Sequence, residues 1–217
     1  MLTVAVILAG SGKSDGSEIH ESVLTLLALD KAGIAYECLS LDKPQSRVVN
    51  HLTDEETDET RNIIVESARI ARGKIKNICE VNVDDYSAAI YPGGFGVAFN
   101  LCDFARSGKD CVVDSDILKF AQSMAKMRKP QGFICISPVM ISKIYNAPVK
   151  QTIGNDKDVA EAIIKMGGVH ISSKQTEAVI DLEHKVVSTP AYMMDESIAK
   201  VAQGINALVH EVLELLK

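Results

Sequence analysis

Leu2-Thr3-Val4-Ala5-Val6-Ile7-Leu8 opens the chain as an unbroken apolar run and passes directly into Ala9-Gly10-Ser11-Gly12. A strand with one wet face would alternate polar and apolar residues, so this run predicts a strand covered on both faces of a parallel sheet. Downstream, Ile19, Val23, Leu26, Leu27 and Ala28 recur at helical spacing between a Ser17 N-cap and a Gly33 stop, which predicts the first crossover helix. A second strand is expected over 35–41, then a helix through Ile63, Ile64, Ala68 and Ile70 ending at Gly73. Short strands follow at 75–79 and 87–91, a helix through Ile117, Phe120, Ala121 and Met124, and a strand over 132–135. Strands near 178–181 and 185–189 and a helix over 197–216 complete the chain. Strand alternating with helix predicts an α/β fold, a doubly wound, mainly parallel sheet with helices on both faces.

No Pro/Gly/Ser-rich linker or change of composition marks a boundary in the 217 residues, so a single domain over 1–217 is expected. Apolar residues make up 47% and charged residues 24%, an ordinary globular balance. The formal charge of −6, with Lys and Arg spread along the chain, gives no electrostatic footprint for nucleic acid or an anionic membrane. Five cysteines without a C-x-x-C pair argue against a zinc site or a disulfide framework and for a reducing, cytoplasmic location. The N-terminal run lacks a basic leader and is too short to span a bilayer. His51, His170, His184 and His210 lack metal-ligand spacing and read as structural or solvated.

In a doubly wound sheet ligands sit beyond the carboxyl ends of strands, so chemistry is sought after residues 8, 91, 135 and 189. Gly132-Phe133-Ile134-Cys135-Ile136-Ser137-Pro138 ends a buried strand at a cysteine, with Pro138 suited to the first turn of a helix. A helix N-terminus favours thiolate, which matters because an ordinary thiol titrates at about 8.5. The plainer alternative is a small buried hydrophobe, the reading given to Cys38, Cys79, Cys102 and Cys111. Tyr91-Pro92-Gly93-Gly94-Phe95-Gly96 follows another strand, and its glycines free successive backbone amides to face an anion, or serve a turn that needs positive φ. Glu18 stands at the start of the first helix, where it either satisfies the dipole or reaches Cys135 and exchanges a proton with it; His20 is secondary. Gly10-Ser11-Gly12 with Gly16 and Asp42 offers a competing dinucleotide reading, weakened by its spacing and by Glu18 at the helix start. The acidic run 54–59 is expected to cap and solvate the next helix, with Arg61 as a partner.

Together, Asp15-Gly16-Ser17-Glu18-Ile19-His20-Glu21, residues 91–96, residues 132–138 and Thr189-Pro190-Ala191-Tyr192-Met193 resemble the ElbB glyoxalase group of the DJ-one/PfpI superfamily, relatives of class I glutamine amidotransferases. The resemblance runs along essentially the whole chain. It implies a flavodoxin-like fold, usually a homodimer, with Cys135 as nucleophile, Glu18 as its proton-sharing partner and the amides of Gly94 and Ile136 as the oxyanion hole. Gly93 and Ser137 are candidate pocket residues. The implied activity is conversion of a small aldehyde or dicarbonyl, glyoxal or methylglyoxal, to the 2-hydroxy acid, with no metal or organic cofactor. Ile136 stands where protease relatives carry His, and 188–192 reads Ser-Thr-Pro-Ala-Tyr where amidotransferases carry a His-x-Glu pair, so protease and glutaminase activities are disfavoured. A redox-sensing or binding protein with an oxidisable Cys135 is the non-enzymatic alternative.

Overall fold

Val4 to Ala9 have no solvent exposure, which requires cover on both faces of the strand that carries them. The computed structural model describes residues 2–194 and 197–217 and places that strand, β1 (Thr3–Ile7), in the middle of the main sheet. In chain order there follow α1 (Ile19–Lys31), β2 (Ala35–Ser40), β3 (Val48–Asn50), β4 (Glu55–Thr57), α2 (Ile63–Ile70), β5 (Ile75–Asn77) and β6 (Ala88–Tyr91). The second half contributes α3 (Phe104–Ser107), α4 (Ser115–Lys126), β7 (Gln131–Ile134), α5 (Ile141–Tyr145), β8 (Lys150–Gln151), α6 (Lys157–Lys165) and β9 (Val169–His170). β10 (Val179–Asp181), β11 (Val186–Thr189) and α7 (Ile198–Glu214) close the chain.

Among the described residues seven strands form one sheet in the order β10-β11-β7-β6-β1-β2-β5, parallel except for β10 at its edge. This is the flavodoxin-like arrangement expected from the sequence. The chain winds from β1 outward through β2 to β5, then resumes on the other side with β6, β7 and β11. The reversal lies between β1 and β6, so their carboxyl ends open the crevice where such sheets bind ligands. Tyr91 and Phe133, paired in register across β6 and β7, stack with ring centroids 4.7 Å apart and are wholly buried. Gly132 brings α7 onto β7, because a Cβ there would stand 2.8 Å from Leu208 Cδ2.

Several expectations are corrected. α1 is capped by Glu18, whose carboxylate accepts from Glu21 N at 2.7 Å; Ser17 Oγ instead accepts from Ala9 N at 2.8 Å and ties the loop to β1. The face of α1 that is buried carries Glu21, Ser22, Thr25, Ala28 and Leu29, whereas Ile19, Val23 and Leu27 point outward, each more than 40% exposed. The acidic run does not cap α2: Glu55–Thr57 pairs with Val48–Asn50 in a hairpin, and Asn62 accepts from Ile64 N and Val65 N. Arg61 does pair with an acid of that run, Glu59. The small parallel pair β8–β9, two residues on each strand, is too short to stand out in sequence, and α6, though amphipathic, lies outside the expected elements.

Candidate functional site

Four segments leave the carboxyl ends of β1, β6, β7 and β11 and converge on Cys135. β7 stops at Ile134, and Cys135 turns the chain with φ +63°, a left-handed conformation that an L-residue with a Cβ adopts at a cost. The turn is fastened on both sides. Cys135 N donates to Thr189 O at 3.0 Å, and Ser137 Oγ accepts from Ile134 N and donates to Tyr91 O at 2.7 Å. Ser137, expected in the pocket, is therefore a buried fastener between the ends of β6 and β7. The turn continues as one 3-10 turn, Ser137–Met140, into the short α5.

The carboxylate against the sulfur belongs to Glu21, and the expectation of Glu18 is corrected. Glu21 hydrogen-bonds the Cys135 side chain; Glu18, three residues earlier, spends its carboxylate on the cap of α1. Helical phase explains the difference, since Glu21 begins the buried stripe that continues through Thr25, Ala28 and Leu29, while position 18 lies at the helix mouth. Glu21 is itself held by backbone: Gly93 N donates to Oε2 at 2.9 Å and Tyr192 N to Oε1 at 3.1 Å. Gly93 is the residue that lets the pair meet, because a Cβ there would lie 2.4 Å from Cys135 Cβ and 2.6 Å from Glu21 Oε2. The backbone amides of Gly94 and Ile136 donate to the Cys135 sulfur, so these two expected residues do face it.

Burial, reinforced by the charge of Glu18, raises the Glu21 carboxyl to about 8. Burial and the neighbouring Glu21 charge also push the Cys135 thiol up, and the amides of Gly94 and Ile136 only oppose them. The expectation that a helix N-terminus favours thiolate is thus outweighed by desolvation, which with the Glu21 charge holds the thiol well above its ordinary value. Among the described residues no histidine bonds Cys135. His20 Nδ1 instead lies 2.8 Å from Tyr192 Oη at the rim, so His20 does face the site.

Cys135, Gly94 and Ile136 open into a cavity of about 790 Å³, lined also by Glu18, His20, Phe95, Phe99 and Tyr192. The glycine loop after β1 does not serve a phosphate. Gly10 N donates to Ser67 Oγ, Gly12 N to Ser17 O and Gly16 N to Gly12 O, and Gly16 packs against Gly94 and Gly96. Those spent amides remove the basis of the dinucleotide reading, and Asp42 is engaged by Asn62. The other cysteines are free thiols; burial pushes Cys38 up to about 11 and Cys102 up to about 12, while Cys79 is exposed on a 3-10 turn and not in the strand expected for it.

No family model matches the chain. It is 39% identical over 222 residues, 98% of this chain and 83% of the relative, to the rat protein called ES1 protein homolog, mitochondrial. To the human glutamine amidotransferase-like class 1 domain-containing protein 3, mitochondrial, it is 38% identical, covering 98% of this chain and 82% of that one. Among solved structures, an isoprenoid biosynthesis protein with an amidotransferase-like domain from Ehrlichia chaffeensis superposes over 100% of both chains with a TM-score of 0.93 and 37% identity. A glyoxalase III from Candida albicans, 14% identical with a TM-score of 0.65 over 100% of this chain and 98% of its own, shares the fold. The cytoplasmic location expected from the cysteines is corrected by the rat and human relatives, both named mitochondrial. Scattered free thiols fit any reducing interior and do not separate one compartment from another.

Proposed function

The chain belongs to the DJ-1/ThiJ/PfpI class I glutamine amidotransferase-like superfamily, and from that premise we propose that it is a cofactor-independent glyoxalase of the ElbB type, acting on glyoxal or methylglyoxal. The observation that carries the proposal is Cys135 on its strained turn, with one carboxyl and two backbone amides around the sulfur at the floor of a cavity. The pair reacts from the form that has lost one of its two protons: with Glu21 ionised, the sulfur attacks the aldehyde carbon while its proton passes to the Glu21 carboxylate. The oxygen of the resulting hemithioacetal is held by the amides of Gly94 and Ile136. Glu21 gives that proton to the hemithioacetal oxygen, and the freed carboxylate then takes the hydrogen of the former aldehyde carbon as a proton and returns it to the neighbouring carbon, while the hydroxyl proton passes to the neighbouring carbon's oxygen. That shift leaves a thioester of the 2-hydroxy acid, and water cleaves the carbon–sulfur bond, releasing the acid and restoring the thiol.

Glu18 acts through Glu21 in this scheme: its negative charge helps keep the Glu21 carboxyl protonated. The redox-sensing alternative draws less support, because burial and the Glu21 charge push the thiol up, away from the low-pKa thiols that oxidise readily. The test is purified protein with glyoxal and no added cofactor. Glycolate should accumulate with the wild type and not with Cys135→Ala; product formation that survives Cys135→Ala overturns the proposal. Pairing of two copies belongs to the same reading, and the exposed Ile19, Val23 and Leu27 stripe of α1 is the surface we assign to it.

A further inference from the structure

The cavity above Cys135 is larger than glyoxal or methylglyoxal needs. Its volume of about 790 Å³ falls within the range, about 300–1,000 Å³, of sites that enclose drug-sized ligands. The wall next to Gly94 is aromatic. Phe95 and Phe99 have ring centroids 6.5 Å apart, and Phe104 and Ala98 continue the apolar lining.

Two cations border the cavity on that wall, and a third, Arg106, lies 5.6 Å from the Phe99 ring centroid with one Nη2–H spent on the Ser46 carbonyl. The Arg47 guanidinium lies 4.0 Å from the Phe99 ring centroid, and only its Nε–H and one Nη2–H are spent, both on the Ser14 carbonyl. Lys13 borders the same cavity, joined to the wall through its carbonyl, which accepts from Phe95 N at 2.7 Å. Among the described residues neither side chain forms an ion pair. The two acids that also line the cavity are engaged elsewhere: Glu18 caps α1, and Asp156 caps α6 by accepting from Val159 N at 2.9 Å. A cation held against an aromatic ring beside an apolar cleft, with donors unspent, is a receptor for an anion carried on an apolar body.

We propose that the Cys135 cavity takes 2-oxoaldehydes whose far end is an apolar or aromatic group bearing an anion, with Lys13 and Arg47 receiving that anion and Phe95 and Phe99 covering the body. This rests on the glyoxalase reading for its reacting end and on the wall residues for its other end. Carboxylate and phosphate would satisfy the same two cations.

The experiment compares kcat/KM for phenylglyoxal and 4-carboxyphenylglyoxal in the full chain. The carboxylate should be preferred by about tenfold, the ordinary worth of one charge-assisted contact, and the preference should collapse in Lys13→Ala and in Lys13→Ala/Arg47→Met. Equal kcat/KM for the two substrates in the wild type, or a preference that survives both variants, overturns the proposal. Calorimetric titration with benzoate, phenyl phosphate and neutral benzamide reads the same wall without turnover. If neither dicarbonyl is converted, the glyoxalase reading fails while the anion site is decided here: tighter binding of either anion, lost in Lys13→Ala, supports it, the tighter of the two assigning carboxylate or phosphate, and equal binding of all three refutes it.

Discussion

At the scale of single residues the molecule turns on a choice between two glutamates three positions apart. Glu18 and Glu21 both sit at the start of α1, but one carboxylate serves the helix end and the other is driven inside by helical phase, where burial raises it to about 8. A carboxyl whose folded pKa lies above its unfolded value binds its proton more tightly in the folded state. Its contribution to stability is therefore full below about 4.5 and is lost as pH rises towards about 8. Denaturant unfolding of the wild type and of Glu21→Gln should show this directly: wild-type stability falls across that window, and the neutral variant lacks the fall. Two curves of the same shape would mean that Glu21 is not held protonated. The motif 15–21 was legible in sequence, but which acid faces inward was not, because the apolar residues Ile19, Val23 and Leu27 mark the exposed face of α1 and misstate its phase.

At the scale of elements, what positions the site is close approach. Gly204 lies inside α7, where glycine costs a helix about 1 kcal/mol relative to alanine, yet a Cβ there would stand 2.1 Å from the Gln175 carbonyl and 2.8 Å from Thr189 Oγ1. Thr189 is the residue whose carbonyl receives Cys135 N, so α7 presses on the strand end that fastens the Cys135 turn. Gly204→Ala should therefore destabilise the protein despite its better helix propensity, by roughly 1–3 kcal/mol as an overpacked core does, measured as a lower urea midpoint. A raised midpoint would show that propensity outweighs the clash. The strands of the main sheet were readable from their apolar runs, and so was the cysteine at the end of β7. The hairpin β3–β4 was hidden in a polar stretch whose charges read as helix solvation, and Tyr192, whose amide binds Glu21, carries no pattern that announces a backbone role.

At the scale of the whole molecule, the winding order places the crevice between β1 and β6 and brings four distant segments to one cavity. The fold class was readable because alternation of strand and helix leaves few topologies. The cellular location was not, because a thiol inventory reports redox state alone. The outer face of α1 carries Val23 at 48% exposure between Ile19 and Leu27. If that stripe joins two copies, Val23→Asp should shift sedimentation from dimer to monomer, and a dimer that persists, or a wild type that sediments as a monomer, would remove the stripe from that role. The central claim is that Glu21, and not Glu18, shares the proton of Cys135. Its most direct test is kcat/KM with glyoxal for Glu21→Gln and Glu18→Gln measured side by side. A loss of about a hundredfold or more, as expected for a missing acid–base group, is predicted for Glu21→Gln, with Glu18→Gln keeping most of its activity, whereas the reverse order, or two equal losses, would contradict the account.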